Sequence, residues 1–195
     1  MAAALNGTDP VIFFESQRIY DIGEQFHEGG VPAESYEIEL GEPDIKKTGS
    51  DLTILTVGAT LYRALEAAQL FEKHGIAAEV IDARSLVPFN FEKVVASVRK
   101  TGKIIIAGDA CERGSYLNDL ARNINDLCFN DLDAPAVVLG SRNWITPAYE
   151  LENHFFPQAS WFVDVFHQRI QPIAGYVPEK SFTSVEIIRR GRKGV

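Results

Sequence analysis

Between Asp51 and Gly140 the sequence repeats one pattern, a short β-branched apolar run followed by a longer stretch whose apolar residues recur at helical spacing. Leu52-Thr53-Ile54-Leu55-Thr56-Val57 ends at Gly58. Leu61, Ala64, Leu65, Ala68 and Phe71 then share one helical face, with Thr60 placed to cap the start and His74-Gly75 to stop it. Ala78-Glu79-Val80-Ile81-Asp82 repeats the strand. After Pro88 and the potential cap Asn90, the residues Phe91, Val94, Val95 and Val98 repeat the helix, which ends at Thr101-Gly102. The third unit joins Ile104-Ile105-Ile106-Ala107 to Leu117, Leu120, Ala121, Ile124 and Leu127, with Gly114 and Ser115 at the helix mouth, and Ala136-Val137-Val138-Leu139 supplies the next strand. Strands buried on both faces read as continuous apolar runs, and strands joined by helices of this length are parallel and linked by right-handed crossovers. The expected fold class is α/β, in three layers α/β/α with a mostly parallel five-stranded sheet.

The flanks are less regular. Val11-Ile12-Phe13-Phe14 reads as a buried strand after the turn-like Asn6-Gly7-Thr8-Asp9-Pro10. The Gly-, Glu- and Pro-rich stretch 22–50 reads as a linker, with Tyr36-Glu37-Ile38-Glu39-Leu40 as one edge strand. It offers the opening run few neighbours, so residues 1–20 are expected to be the end of a preceding domain, 21–50 an interdomain arm and 51–170 the α/β domain. Segments around Tyr149 to Phe156 and Trp161 to Ile170 look helical, and 171–195 reads as an extended tail that wraps or docks.

The chain has 195 residues, 46% hydrophobic and 24% charged, which suits one sizeable core. A net charge of −8 and a pI near 5.0 oppose a nucleic-acid footprint, which needs clustered Lys and Arg. The dense basic cluster Arg189, Arg190, Arg192 and Lys193 reads as a solvated tail. Cys111 and Cys128 form neither a CxxC pair nor a zinc framework. No apolar run approaches the length needed to span a bilayer, and Met1 to Leu5 is too short for a signal, so no membrane partner and a cytoplasmic location are expected.

Motifs for chemistry are scarce. Gly58-Ala59-Thr60 lacks the glycine spacing of a dinucleotide turn, and neither a GxxxxGK[ST] loop nor a GxSxG elbow occurs. Cys111 stands where a nucleophile could meet a helix amino terminus, yet a partly buried thiol explains it better. His27, His74, His154 and His167 lie in four separate segments without metal-ligand spacing and read as surface or packing residues. Asp109 and Glu112 flank the mouth of the third helix, where carboxylates complement the helix dipole. Asp126, Asp131 and Asp133 make an acidic stretch that suits a cationic partner, and loop solvation accounts for it about as well.

Together these pieces resemble the beta subunit of the decarboxylating first component of thiamine-dependent 2-oxoacid dehydrogenase complexes, in its transketolase-type carboxy-terminal domain. Asp9-Pro10-Val11-Ile12-Phe13-Phe14-Glu15 with Arg18-Ile19-Tyr20, Tyr36 to Leu40, and Gly41-Glu42-Pro43-Asp44-Ile45 carry the first part of the likeness. Asp51 to Ala59, Glu79 to Pro88 and Ser97 to Gly102 carry its clearest signatures. Gly108-Asp109, Gly114-Ser115 and Thr146-Pro147-Ala148 depart from the family's usual His-Glu, Gly-Gly and Pro-Tyr turns.

The resemblance implies that residues 1–20 close a pyrimidine-binding domain, and that thiamine diphosphate with magnesium belongs to the full enzyme and is not bound by this segment. It assigns no catalytic, cofactor-binding or metal residue here. It implies an alpha-type subunit or domain, an acyltransferase component and further copies of the chain as partners. Asp131 and Asp133 are the expected docking residues for the acyltransferase component. Trp144, Trp161, Phe162 and Phe166 are the expected dimer anchors. The reading from another class is an independent ligand-binding or regulatory α/β module.

Overall fold

The computed structural model describes residues 1–22 and 33–192, so His27, Lys193 and part of the expected interdomain arm lie outside the described residues. Five strands form one sheet: β1 (Asp44–Lys47), β2 (Leu52–Val57), β3 (Ala78–Asp82), β4 (Ile104–Cys111) and β5 (Val137–Ser141). Their order is β1-β3-β2-β4-β5, parallel throughout except for the antiparallel edge β1.

Alternation along the strands sorts the side chains into two cores. Leu52 and Ile54 of β2, Ala78 and Val80 of β3, Ile105 and Ala107 of β4, and Val137 and Leu139 of β5 join one cluster with α2 (Thr60–Glu72) and α6 (Ala159–Arg169). The intervening residues Leu55, Ile81, Ile104 and Ile106 pack on the other face against α3 (Glu92–Thr101) and α4 (Tyr116–Leu127). The direction of travel explains the split. The chain moves outward from β2 to β3, then back across β2 to β4 and on to β5. A right-handed crossover reverses its face when its direction reverses. Gly102 is the left-handed residue closing α3 at φ +66 and Asn90 Oδ1 accepts the Glu92 N–H at 3.0 Å, as the sequence reading expects, whereas Thr60 does not cap α2: it is the first helical residue, after Ala59, and its hydroxyl turns away to Asp109.

The edges differ from expectation. Val11 to Phe14 is extended chain without a strand partner among the described residues, and Ile12 is 81% exposed. An apolar run becomes a strand only where it is laid along a sheet edge, and Val11 to Phe14 joins neither the β1 nor the β5 edge. The expected edge strand Tyr36–Leu40 does not form. Asp44–Lys47 takes that place because the turn before it is pinned: the Asn90 N–H donates to Gly41 O at 2.8 Å, the Gly41 N–H to Ser85 Oγ at 3.2 Å, and Lys93 Nζ to Pro43 O at 3.1 Å. The chain that follows is laid along β3, as Ile45 against Ile81.

Two short helices flank the unit, α1 (Ala2–Asn6) at the start and α5 (Glu152–Phe155) before α6. The segment after α6 is part of the core: Phe182 is buried beside Trp161, Ile173 joins the same cluster, and α7 (Ser184–Arg192) follows. The packed unit therefore extends beyond residues 51–170 at both ends. No helix among the described residues is long and apolar enough to cross a membrane.

Candidate functional site at the carboxyl edge of the sheet

All four parallel strands end at one edge, and the strand order reverses there between β2 and β4. Such a reversal opens a crevice outside the strand ends. Thr60 begins α2 directly after β2, Asp109 lies near the end of β4, and Arg18 arrives from the amino-terminal arm. Thr60 Oγ1 donates to Asp109 Oδ1 at 2.7 Å and Arg18 Nη1 donates to Asp109 Oδ2 at 3.1 Å. Arg18 Nε lies 3.8 Å from Glu152 and its guanidinium sits 4.3 Å above the Phe156 ring. The cleft that remains, about 130 Å³, is lined by Arg18, Thr60, Tyr62, Arg63 and Asp109 among others.

Both oxygens of Asp109 are engaged, so the cluster clamps the arm onto the sheet and presents no free base. Asp109 does not serve the mouth of the third helix, as the sequence reading expects. It stands instead beside the first residue of α2, because β4 runs to Cys111 and carries it past the β2 end. Glu112 also serves no helix end; its carboxyl faces the arginines Arg142, Arg169 and Arg190, and burial pushes it up from the ordinary range.

The rest of this edge is apolar and open. Val87 follows β3, Trp144 and Ile145 follow β5, and Tyr149 lies just beyond; all four are exposed, Ile145 by 86%. Hydrogen bonds tie these loops together, from Tyr116 Oη to Leu86 O and from the Arg113 N–H to Asn143 Oδ1 at 3.3 Å. Trp144 is therefore available as a contact residue. Trp161, Phe162 and Phe166 are not: each is at most 2% exposed and belongs to the α2–α6 core, which corrects their reading as dimer anchors. The sequence Trp161-Phe162-Val163-Asp164-Val165-Phe166 is apolar nearly all round, and such a helix is buried by its own domain.

Asp131 and Asp133 lie at the opposite, amino edge. Asp131 Oδ2 is 3.3 Å from Arg99 Nε, and Asp133 Oδ2 is 3.0 Å from Lys103 Nζ. Asp133 is also seated against Gly102, whose carbonyl accepts its N–H at 2.8 Å and where a Cβ would come within 2.5 Å of its carboxylate. Each acid thus has a basic neighbour of its own, which reduces the negative field they present. Asp126 pairs with Arg122 at 3.0 Å.

Cys111 is exposed rather than partly buried, while Cys128 is buried and its thiol pushed up by that burial. His167 is a packing residue, its Nδ1 accepting the Ile173 N–H at 2.9 Å, and His74 meets the Tyr176 ring edge to face. Among the described residues no group of three or more His, Cys, Asp and Glu could hold a metal ion. The sequence reading missed Arg18 and Arg142 as site residues, since neither lies in a motif or at a telling spacing.

A mostly parallel sheet in this order, with helices on both faces and an antiparallel first edge, is a transketolase-type carboxy-terminal domain, and the chain belongs to that family: the family described as "Transketolase, C-terminal domain" matches residues 41–160. Among individual relatives, the pyruvate dehydrogenase E1 component subunit beta of Bacillus subtilis (strain 168) is 35% identical over 80% of this chain and 47% of its own length. The 2-oxoisovalerate dehydrogenase subunit beta of the same organism is 38% identical over 69% of this chain and 40% of its own length. The solved structure of a split-gene transketolase, an inactive beta4 tetramer, matches with a TM-score of 0.50 at 33% identity, over 64% of this chain and 41% of that one. The chain spans about half the length, or less, of the curated relatives it matches.

Proposed function

We propose that this chain is the carboxy-terminal assembly and partner-docking portion of a thiamine diphosphate-dependent 2-oxoacid dehydrogenase. The whole enzyme decarboxylates a 2-oxoacid oxidatively and passes the acyl group to a lipoyl carrier, and the cofactor supplies the bond-breaking chemistry. The observation that carries the reading is the open apolar carboxyl edge, where Val87, Trp144, Ile145 and Tyr149 stand exposed on loops of which one is bonded to Tyr116 and the other to Arg113. Large apolar residues exposed together at one edge mark a contact site. The clamp of Arg18 on Asp109 holds the arm that carries Ile12 and Phe14 to the same edge, so the arm is suited to continue into a neighbouring domain or subunit.

The crevice beside Asp109 does not fit thiamine diphosphate: at about 130 Å³ it is well below the ~300 Å³ at which ligand pockets begin, and Arg18, Thr60 and Asp109 are already paired with one another. The reading places the cofactor and its magnesium outside this segment. The relatives' names support an alpha-type partner and further copies of the chain, and we extend the reading to docking of an acyltransferase component.

Sedimentation of the 195-residue chain over a range of concentrations tests the reading. Reversible self-association is expected, weakened at least tenfold, roughly the effect of losing one central anchor, in Trp144→Ser/Ile145→Ser. A strictly monomeric mass at every concentration would overturn the assembly role of this edge.

A further inference from the structure

Arg142, the first residue after β5, is 5% exposed and takes no part in the Arg18–Asp109 clamp. Its guanidinium sits 4.1 Å above the Trp161 ring and 4.9 Å from the Phe182 ring. Its Nη1 is buried and meets no acceptor among the described residues. Guanidinium is a planar fork of five donors that stays charged at neutral pH, and an unpaired buried cation costs several kcal/mol. The two aromatic faces offset part of that cost but accept no N–H in the guanidinium plane.

The surroundings add positive charge. Arg190 stacks 5.5 Å from the same Phe182 ring, and its Nη1 is likewise buried without an acceptor among the described residues. Arg169 faces the same carboxyl, Glu112, as Arg142 and Arg190 do. Glu112 lies in the field of all three, although burial pushes its carboxyl up from the ordinary range. Glu186 already serves Arg190 at 3.3 Å and Arg189 at 3.6 Å. Burial brings Arg142 down to about 10, which leaves it fully protonated at neutral pH. Arg142, Arg169 and Arg190, with Arg189 sharing Glu186, therefore stand against the two carboxyls Glu112 and Glu186, four positive charges to two negative, an excess that suits a doubly charged oxyanion.

We propose that Arg142, assisted by Arg190 and Arg169, anchors a phosphate-class dianion at the carboxyl end of β5, either free phosphate or the phosphoryl group of a small monoester. Arg142 supplies the buried donor. Its backbone is fixed by its N–H to Phe155 O at 3.0 Å, and the Glu112 N–H to Ser141 O bond at 3.1 Å joins the two loops. The Arg190 side chain, 26% exposed, borders solvent and gives the anion its way in. Charge-assisted bonds from guanidinium to phosphate are among the strong ones. The site is independent of any thiamine chemistry and does not rest on the assembly reading.

Isothermal titration of the 195-residue chain with inorganic phosphate, and separately with glycerol 3-phosphate, is the test, with sodium chloride at matched ionic strength as the blank. One saturable site is expected. Equal affinities identify free phosphate as sufficient, and glycerol 3-phosphate binding at least tenfold tighter identifies a phosphomonoester, where tenfold is about 1.4 kcal/mol. Arg142→Gln is expected to weaken binding at least about tenfold, the effect of losing one charge-assisted bond, with the fold checked by circular dichroism. Arg190→Gln, on the last helix, serves if Arg142→Gln does not fold and is expected to weaken binding several-fold. No saturable binding of either anion, or an affinity unchanged in the folded variants, would overturn the proposal.

Discussion

Thr60 and Asp109, separated by 49 positions in sequence, share a 2.7 Å hydrogen bond at the point where β2 and β4 part. The Thr60 hydroxyl is buried, and Asp109 turns its other oxygen to Arg18, so one carboxylate joins the first turn of α2, the end of β4 and the amino-terminal arm. Asp109→Ala removes the acceptor for both. A buried hydroxyl left without a partner costs roughly 1–3 kcal/mol, which is the expected loss in urea unfolding. Arg18→Ala should cost less, because the ion pair is about a quarter exposed on each side, and should instead expose the arm to chymotrypsin at Phe13, Phe14 and Tyr20.

The inner layer holds a second polar junction. Thr53 Oγ1 lies 2.7 Å from Ser97 Oγ and 2.8 Å from Thr101 Oγ1, so β2 and α3 meet through hydroxyls inside an otherwise apolar face. Thr53→Val keeps the shape and deletes the shared oxygen. Thr101 Oγ1 still donates to Lys103 O at 3.1 Å and Ser97 still bonds Glu79, so equilibrium unfolding should show a loss of only about 1 kcal/mol, the net worth of an ordinary hydrogen bond. Replacing Ser97 by Ala as well should add to the loss, since Glu79 then loses a donor.

Legibility of the sequence followed burial geometry. The strands β2 to β5 could be read because a strand covered on both faces must be apolar throughout, and the helices between them because one face of each must be apolar. Trp161, Phe162 and Phe166 misled because aromatic residues past the last strand suit an interface as well as a core. Only the packing of α6 on α2, with Phe71 and Phe166 5.3 Å apart, decides between the two. Arg18 and Asp109 are 91 positions apart, and Arg142 is a lone arginine after an apolar run. Nothing local marks either, since the chain topology alone brings their partners to them.

Glu79 gives stability a specific dependence on pH. Burial raises its carboxyl, but the hydrogen bonds from Lys100 at 2.6 Å, from Ser97 and from the Gly49 N–H at 3.4 Å outweigh burial, so the net shift is downward. A carboxyl whose folded pKa lies below its unfolded value adds stability that is full above the unfolded value. That stability is lost as pH falls through the folded one. Urea unfolding between neutral pH and pH ~3, the region below the usual Glu range of ~4.3, should therefore show a decline that is shallower in Glu79→Gln. A Gln variant with the full acid slope would remove Glu79 as its source.

Asp164 fastens the segment after α6. Fully buried, it accepts the Tyr176 hydroxyl at 2.7 Å and the Glu179 N–H at 3.1 Å on one oxygen, and the Lys180 N–H at 2.9 Å on the other. Burial, followed by the bond to Asp164, pushes the Tyr176 phenol well above its ordinary range. Asp164→Ala strands three donors and should cost on the order of 3 kcal/mol. Hydrogen exchange locates the effect: the amides of Glu179, Lys180 and Phe182 should lose protection while those of β2 and β4 keep theirs.

Docking of a basic partner at the amino edge is expected to act on rate more than on affinity. The net charge of −8 supplies long-range attraction, but Asp131 and Asp133 are each neutralised in part, by Arg99 at 3.3 Å and Lys103 at 3.0 Å. An exposed pair contributes about 1 kcal/mol or less, and rim charges steer encounter. Asp131→Asn/Asp133→Asn keeps the volume and leaves Arg99 and Lys103 uncompensated, so the local field becomes positive. Surface plasmon resonance of the full assembly against the cognate acyltransferase domain should show association slowed by roughly tenfold or less, with a flatter dependence on salt. Asp133→Asn still offers Lys103 a carbonyl oxygen, so the melting temperature of the variant should stay close to that of the parent. An unchanged association rate and an unchanged salt slope would take these two residues out of the docking surface.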